Sequence, residues 1–311
     1  MKVLLVGGLG FVGKHFVKKY ADAANLVILS THQDALTNAA FVKDHRLSVE
    51  IGDITDGTKV RDVMLRHSPD VVVHLAALTG VRKCNDNPST AFSVNVYGAY
   101  NVAMGCVASK SKLIFISSRE VYGESLSDQT REDDLLLPNN VYGLTKLLGE
   151  KIVLWTGSKY DLDYTILRIT NIYGPGGDQY AVQAIIKKAL LGERIQILGG
   201  SQQMNLIYVD DVVDAVLGCL TGANSSRQVF NIGSYDSISV EDMVSRILRL
   251  LDVSTKLERL PMREGETLSF RPSLEKSGRL LGWRPSTTFA SGLRETVERY
   301  RKELEERSPS V

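Results

Sequence analysis

The sequence predicts an α/β fold, a doubly wound parallel sheet with a smaller C-terminal lobe. Three observations carry this. Short β-rich runs alternate with helical patterns throughout the first half of the chain. The first of these runs leads through a glycine turn directly into a helical pattern. After Asn171 the alternation gives way to a breaker cluster, Tyr173-Gly-Pro-Gly-Gly177, and a looser mixture of elements.

In order, strands are expected at 2–6, 26–30, 47–51, 71–75, 113–117 and 164–168. Helices are expected at 11–20, 59–67, 88–108 and 142–159, the third of them long and apolar at helical spacing. Beyond the breakers come a helix at 180–191 and a strand at 195–198. A strand–helix–strand unit follows at 206–209, 212–220 and 228–232, then helices at 240–251 and 292–304. The 206–233 unit is expected to return to the main sheet. This divides the chain into a first domain over 1–173 and a second lobe from 174–205 and 234–311, with neither repeats nor low-complexity segments.

The whole-chain numbers narrow the function. The 311 residues suffice for a sizeable core, and 43% hydrophobic with 23% charged residues is ordinary for a globular protein. A net charge of +1 gives no footprint for nucleic acid or an anionic membrane. Cys84, Cys106 and Cys219 have no metal or redox spacing and read as small buried hydrophobes in a reducing compartment. The opening run is too short for a signal peptide, and no run reaches membrane-spanning length, so a cytoplasmic protein is expected. The tail over 303–311 is expected to fray.

Gly8-Leu-Gly10-Phe11-Val12-Gly13 fits G-x-G-x-x-G between a strand and a helix, and Gly7-x-x-Gly10-x-x-Gly13 is satisfied as well. Such a turn lets a pyrophosphate approach the backbone and meet the N–H groups of a helix N-terminus. The first domain is therefore expected to bind a dinucleotide. The second strand ends in Ser30-Thr31-His32-Gln33, with no acid before Asp34. Two hydroxyls and an imidazole there would suit a 2′-phosphate, which tips the balance slightly to NADP; Asp34 keeps NAD open. His32 reads equally as an exposed loop residue. Asp53 and Ile54 follow the third strand, where adenine would sit, although Asp53 also fits a turn or a helix cap. His74 reads as a hydrogen-bonded core residue. Leu75, Ala76 and Ala77 after it are small enough to let a cofactor lie against the backbone.

Tyr142-Gly-Leu-Thr-Lys146 puts a phenol and an ammonium on one helix face. A nearby cation favours phenolate, and a phenol so activated takes a proton from a sugar or alcohol hydroxyl. The pair lies 24 residues after Ser118.

These motifs together resemble the extended short-chain dehydrogenase/reductases, specifically their NAD-dependent nucleotide-sugar epimerase/dehydratase group. The resemblance runs from Met1 to about Tyr300. It also rests on Asn95-Val-Tyr-Gly98, Ser117-Ser-Arg-Glu-Val-Tyr-Gly123, Leu167-Arg-Ile-Thr-Asn-Ile-Tyr-Gly-Pro175, Ile207-Tyr-Val-Asp-Asp211 and Leu281-Gly-Trp283. It implies a Rossmann-type doubly wound parallel sheet and a substrate-binding C-terminal lobe. It implies Tyr142 as general acid/base, Ser118 as hydrogen-bond partner of the reacting hydroxyl, and Lys146 on the nicotinamide ribose, with Asn95 near that lysine. Thr79, Ser118, Arg119, Glu120, Asn171 and Arg263 fall to the substrate. A homodimer built by pairing the helices that begin near Pro88 and Tyr142 is implied too.

Two departures bear on the reaction. Dehydratases of this group carry an Asp-Glu pair where this chain has Arg119-Glu120, so dehydration loses its acid. Glu120 also stands where the sugar-nucleotide decarboxylases have a Glu, and equally suits a simple pairing with Arg119. Met204 occupies a slot where many members hold pyrophosphate with an Arg. The leading expectation is a nucleotide-sugar 4-epimerase working through a transient 4-keto sugar. The alternative is an NAD(P)H-dependent 4-keto-sugar reductase. Dehydratase, decarboxylase or a non-catalytic NAD(P)-binding regulator follow behind, and no metal is expected.

Overall fold

A computed structural model describes residues 1–20, 25–125, 127–177, 179–262 and 265–307. The apolar runs form strands β1 (Lys2–Val6), β2 (Asn25–Ser30), β3 (Ser48–Ile51), β4 (Val71–His74), β5 (Lys112–Ser118) and β6 (Tyr164–Ile169). A short β7 (Asn171–Tyr173) follows, then β8 (Ile195–Leu198), β9 (Gln203–Tyr208), β10 (Gln228–Ile232), β11 (Ser237–Ser239) and β12 (Leu257–Leu260). The main sheet is parallel, in the order β10-β6-β5-β4-β1-β2-β3. Its order reverses between β1 and β4, and ligands of such sheets bind outside the strand ends at that switch.

Both faces of the sheet are apolar because alternate side chains of each strand go to opposite faces. Val3, Leu5 and Ile28 pack with Phe16 and Val17 of helix Phe11–Tyr20 and with Val212 and Val216 of helix Val209–Thr221. Leu4, Val27 and Leu29 pack with Val60 and Met64 of helix Gly57–His67 and with Val102 and Cys106 of helix Gly98–Ser109. A separate core gathers Val182, Ile186, Ile195, Leu206, Met243, Ile247 and Val297 under the small sheets β11-β9-β7 and β12-β8.

Two sequence expectations change. The strand near 206 does not join the main sheet: β9 pairs with β7 and β11, and the chain returns only with helix Val209–Thr221 and β10. Tyr173 likewise packs into the second core rather than the first. The helix expected over 88–108 is three pieces, Pro88–Phe92, a π-helical turn Ser93–Tyr97, and Gly98–Ser109. The wider turn carries Asn95, and such turns recur at functional sites.

Candidate active site

A cavity of about 830 Å³ lies outside the carboxyl ends of β1, β2, β4, β5 and β6. Gly7, Gly10, Phe11, Val12 and Gly13 line one wall. Gly7 has φ +80°, and a Cβ there would stand 2.7 Å from the Ala76 backbone. A Cβ on Gly13 would stand 2.3 Å from the Gly8 carbonyl. Gly8 is buried against Leu5 and Ile28 and does not line the cavity, so Gly7, Gly10 and Gly13 are the glycines that shape it. Leu75 and Ala76 both donate their N–H to the Val6 carbonyl at 2.9 Å, which curls the end of β4 in beside the glycine turn. Leu75, Ala76, Ala77 and Thr79 line the cavity there.

At the far end, Ser30, Thr31, Asp34, Asp53 and Ile54 face the cavity. His32 does not: it sits exposed in the first turn of helix His32–Thr37, where a loop was expected. Thr31 caps that helix by accepting from the Asp34 N–H, and its hydroxyl donates to the Asp34 carboxylate at 2.7 Å. This end presents the Asp34 carboxylate, and Lys14, whose ammonium donates to Asn38 Oδ1 at 3.2 Å, also lines the cavity; the lean to NADP is not shown. One Asp53 oxygen closes a turn on Thr55, as the turn reading expected, and the residue lines the cavity. The helix cap is Asp56. Buried Ser30 Oγ has no partner among the described residues.

The chemical end is built by β5 and the helix Val141–Tyr160. Asn140 caps that helix by accepting from the Gly143 N–H at 2.8 Å. The Tyr142 phenol hydrogen-bonds Ser118. Lys146 is buried, its ammonium 4.4 Å from the Phe115 ring centre. Asn95 ties the parts together. Its Nδ2 donates to the Leu78 carbonyl and to Thr145 Oγ1, both at 3.0 Å, and its Oδ1 accepts from the Leu78 N–H. Thr145 in turn donates to the Tyr142 carbonyl.

The electrostatics revise the expectation about Tyr142. Burial pushes its phenol well above the usual range, aided by Tyr180 and Glu120, and only the Ser118 hydrogen bond opposes this. Desolvation of the phenolate dominates the shift, so the cation one turn away does not bring the phenol below its usual range. Burial also lowers the Lys146 ammonium to about 8, with Glu150 one turn on opposing the fall. His74 is buried and pushed down to about 3, hence neutral; its Nδ1 has no partner among the described residues, contrary to the hydrogen-bonded role expected for it.

Arg119 and Glu120 pair at 2.7 Å, and Glu120 Oε2 accepts from Asn140 at 2.9 Å. Both line the cavity with Asn171 and Met204. Arg263 lies outside the described residues. Two groups escaped the sequence reading. Tyr180 lies 5.2 Å from Phe11, ring to ring and tilted by 40°, lines the cavity with Thr79, and raises the Tyr142 phenol electrostatically. Beneath the site, Glu150 takes the Arg168 guanidinium at 2.8 Å and the Ser117 hydroxyl, and Arg168 reaches Tyr122. Tyr180 had an aromatic beside a breaker cluster as its only signal; Arg168 stood in the Leu167–Pro175 motif with no role assigned, and Glu150 was only a charge in an apolar pattern. Among the described residues no cluster of metal-ligating side chains is present, and no helix is long and apolar enough to cross a membrane.

A glycine cradle, an acidic residue beyond β2 and a buried Tyr–Ser–Lys group line one cavity, an arrangement compatible with a bound dinucleotide. The comparisons agree. The pattern of the family described as NAD dependent epimerase/dehydratase matches residues 3–233. A UDP-glucose 4-epimerase of Mycolicibacterium smegmatis is 30% identical over 97% of this chain and 99% of its own length. A dTDP-glucose 4,6-dehydratase of Shigella flexneri is 28% identical over 96% of this chain and 92% of its own. Among solved structures, the UDP-glucuronic acid 4-epimerase of Bacillus cereus, in complex with UDP-glucuronic acid and NAD, superposes with TM-score 0.90. It is 26% identical, covering 97% of this chain and all of that one. The chain belongs to the NAD-dependent epimerase/dehydratase family and is an enzyme of the extended short-chain dehydrogenase/reductase type.

Proposed function

We propose that the protein is a nucleotide-sugar 4-epimerase that keeps NAD bound through turnover. The observation that carries this is Asp34 at the ribose end of the cavity. A carboxylate there accepts a hydrogen bond from a 2′-hydroxyl and repels a 2′-phosphate, so the site suits NAD and disfavours an exchanging NADPH reductant. Gly7, Gly10 and the N-terminus of helix Phe11–Tyr20 would hold the pyrophosphate. Ser30, Asp34, Asp53 and Ile54 would hold the adenosine, and Lys146 the nicotinamide ribose. When bound, the cofactor accepts and returns a hydride and brings a positive charge. Tyr142 then takes the O4 proton from the sugar and later gives it back, while Ser118 hydrogen-bonds the same oxygen. The second lobe would hold the nucleotide and leave the sugar free to present its other face. Names among the relatives support the substrate class, since UDP- and dTDP-sugars recur in them.

Dehydration is disfavoured because Arg119 stands where an acid is required and is engaged by Glu120. A homodimer is supported by exposed Phe92, Tyr97, Tyr100, Leu144 and Trp155 on the two helices expected to pair.

The test is the dinucleotide that co-purifies. Denaturing the purified protein should release NAD near one equivalent, and added UDP-sugar should gain its 4-epimer with no added reductant. Turnover that consumes NADPH stoichiometrically would sink the reading.

A further inference from the structure

We propose that a second cleft, formed by the segment over 271–284 and the turn after β10, binds a nucleoside diphosphate. Arg271, Arg279 and Arg284 would take its phosphates and Tyr235 its base. The cleft shares no lining residue with the active-site cavity.

The cleft has a volume of about 400 Å³, within the range of small-molecule sites. Arg271, Arg279 and Arg284 line it with Gln129, Tyr235 and Glu275. All three arginines are exposed, and no guanidinium among them has a hydrogen bond or ion pair among the described residues. Glu275 is the acid of the cleft, and it is engaged by Arg131 at 3.3 Å. Asp128 and Asp236 adjoin lining residues in sequence but do not line the cleft. Three cations thus face one carboxylate that already has a partner. A concave surface lined by one sign of charge focuses its field and gathers counter-ions.

Tertiary contacts fix the backbone that carries these side chains. Thr130 donates its N–H to the Arg271 carbonyl at 2.8 Å and accepts from the Ser273 N–H at 2.7 Å, which docks the arginine segment beside Gln129. Helix Glu275–Leu281 carries Arg279 in its last turn. Gly282, at φ +64°, then turns the chain, and Arg284 Nε comes to lie 3.8 Å from where a Cβ on Gly278 would stand. The Trp283 indole anchors this return by donating to the Asp211 carbonyl at 3.0 Å. Tyr235 sits in a clamped turn. Asn205 Nδ2 donates to the Ser234 and Asp236 carbonyls at 2.9 and 3.1 Å, and Asn205 Oδ1 accepts from the Ser234 N–H at 2.9 Å. The tyrosine between them is 52% exposed. A bare anion would use the arginines and leave this aromatic unexplained. A nucleotide uses both, since guanidinium forks suit phosphates and an aromatic face suits a base.

The test is calorimetric titration of the whole protein, equilibrated beforehand with excess NAD and UDP-glucose so that the active-site cavity is filled. ADP is the probe, and inorganic pyrophosphate is the bare anion. ADP should bind, and Arg279→Gln/Arg284→Gln should weaken it about 10–100-fold, the worth of charge-assisted hydrogen bonds. Tyr235→Ala should weaken ADP about 5-fold or more and leave pyrophosphate unchanged, because only the nucleotide has a base to stack. Added salt should weaken both ligands. No ADP binding, or ADP binding unchanged in the double variant, overturns the inference. Equal affinity for ADP and pyrophosphate, unaltered by Tyr235→Ala, overturns it as well. Should the double variant fail to fold, unchanged ADP affinity in Arg271→Gln overturns it.

Discussion

Tyr142, Ser118 and Lys146 illustrate how burial reshapes side-chain chemistry. The phenol and ammonium are correctly paired by their spacing, yet the direction of the tyrosine shift is opposite to what that spacing suggests, because burial dominates. Removing the phenolic oxygen in Tyr142→Phe should reduce kcat by about 10²–10⁴-fold, the usual worth of a positioned acid/base. Unchanged thermal unfolding and cofactor content would show that only the proton path was lost. Lys146 makes a pH prediction. Its folded value is lowered from 10.5 to about 8, so the ammonium is charged below about 8 and neutral above it. NAD retention should weaken as pH rises through about 8, read by equilibrium dialysis. Stability should move the other way. Between about 8 and 10.5 the unfolded chain holds a proton at this lysine that the folded one has shed, so this group adds stability as pH rises. Urea unfolding of wild type against Lys146→Met across that window isolates the contribution.

The catalytic helix is placed by contacts that tolerate no extra atom. A Cβ on Gly143 would lie 2.3 Å from the Glu120 carbonyl, so only glycine lets the Tyr142 turn close on the Ser118–Glu120 segment. Gly143→Ala should push the helix outward. Displacements near 1 Å cost about 10²-fold in rate, so kcat/KM should fall on that order while the fold persists. Wild-type kinetics in this variant would mean that the helix has room the structure does not show. The strand and helix runs were legible because each carries its own periodicity. The π-helical turn at Ser93–Tyr97 was not, since its cause is the hydrogen bonding of Asn95 to Leu78 and Thr145, residues distant in sequence. The short β7 was missed and β9 given the wrong sheet for a related reason: a strand's partner depends on which edge is free, and β7 offers one.

The whole molecule joins two cores across one cavity, and its outer face carries the remaining test. Tyr97 is 56% and Trp155 48% exposed, on two helices of the main domain. Large aromatics on neighbouring helices suit a self-complementary interface. Light scattering should give twice 34.3 kDa for wild type and about 34.3 kDa for Tyr97→Glu/Trp155→Glu. A wild-type mass of one chain would remove the dimer.

Local pattern alone pointed to the parallel sheet, the glycine turn and the shared helix face of Tyr142 and Lys146, because each depends on short spacing along the chain. Three matters were decided only when distant segments met. Asp34, not His32, lines the cavity beyond β2, since a helix starts where a loop was expected. Glu150 and Arg168 form a buried pair beneath the catalytic strand. Arg119 Nε and Nη1 are buried and have no partner among the described residues. Burial and partner count are properties of packing, and a one-dimensional pattern does not contain them.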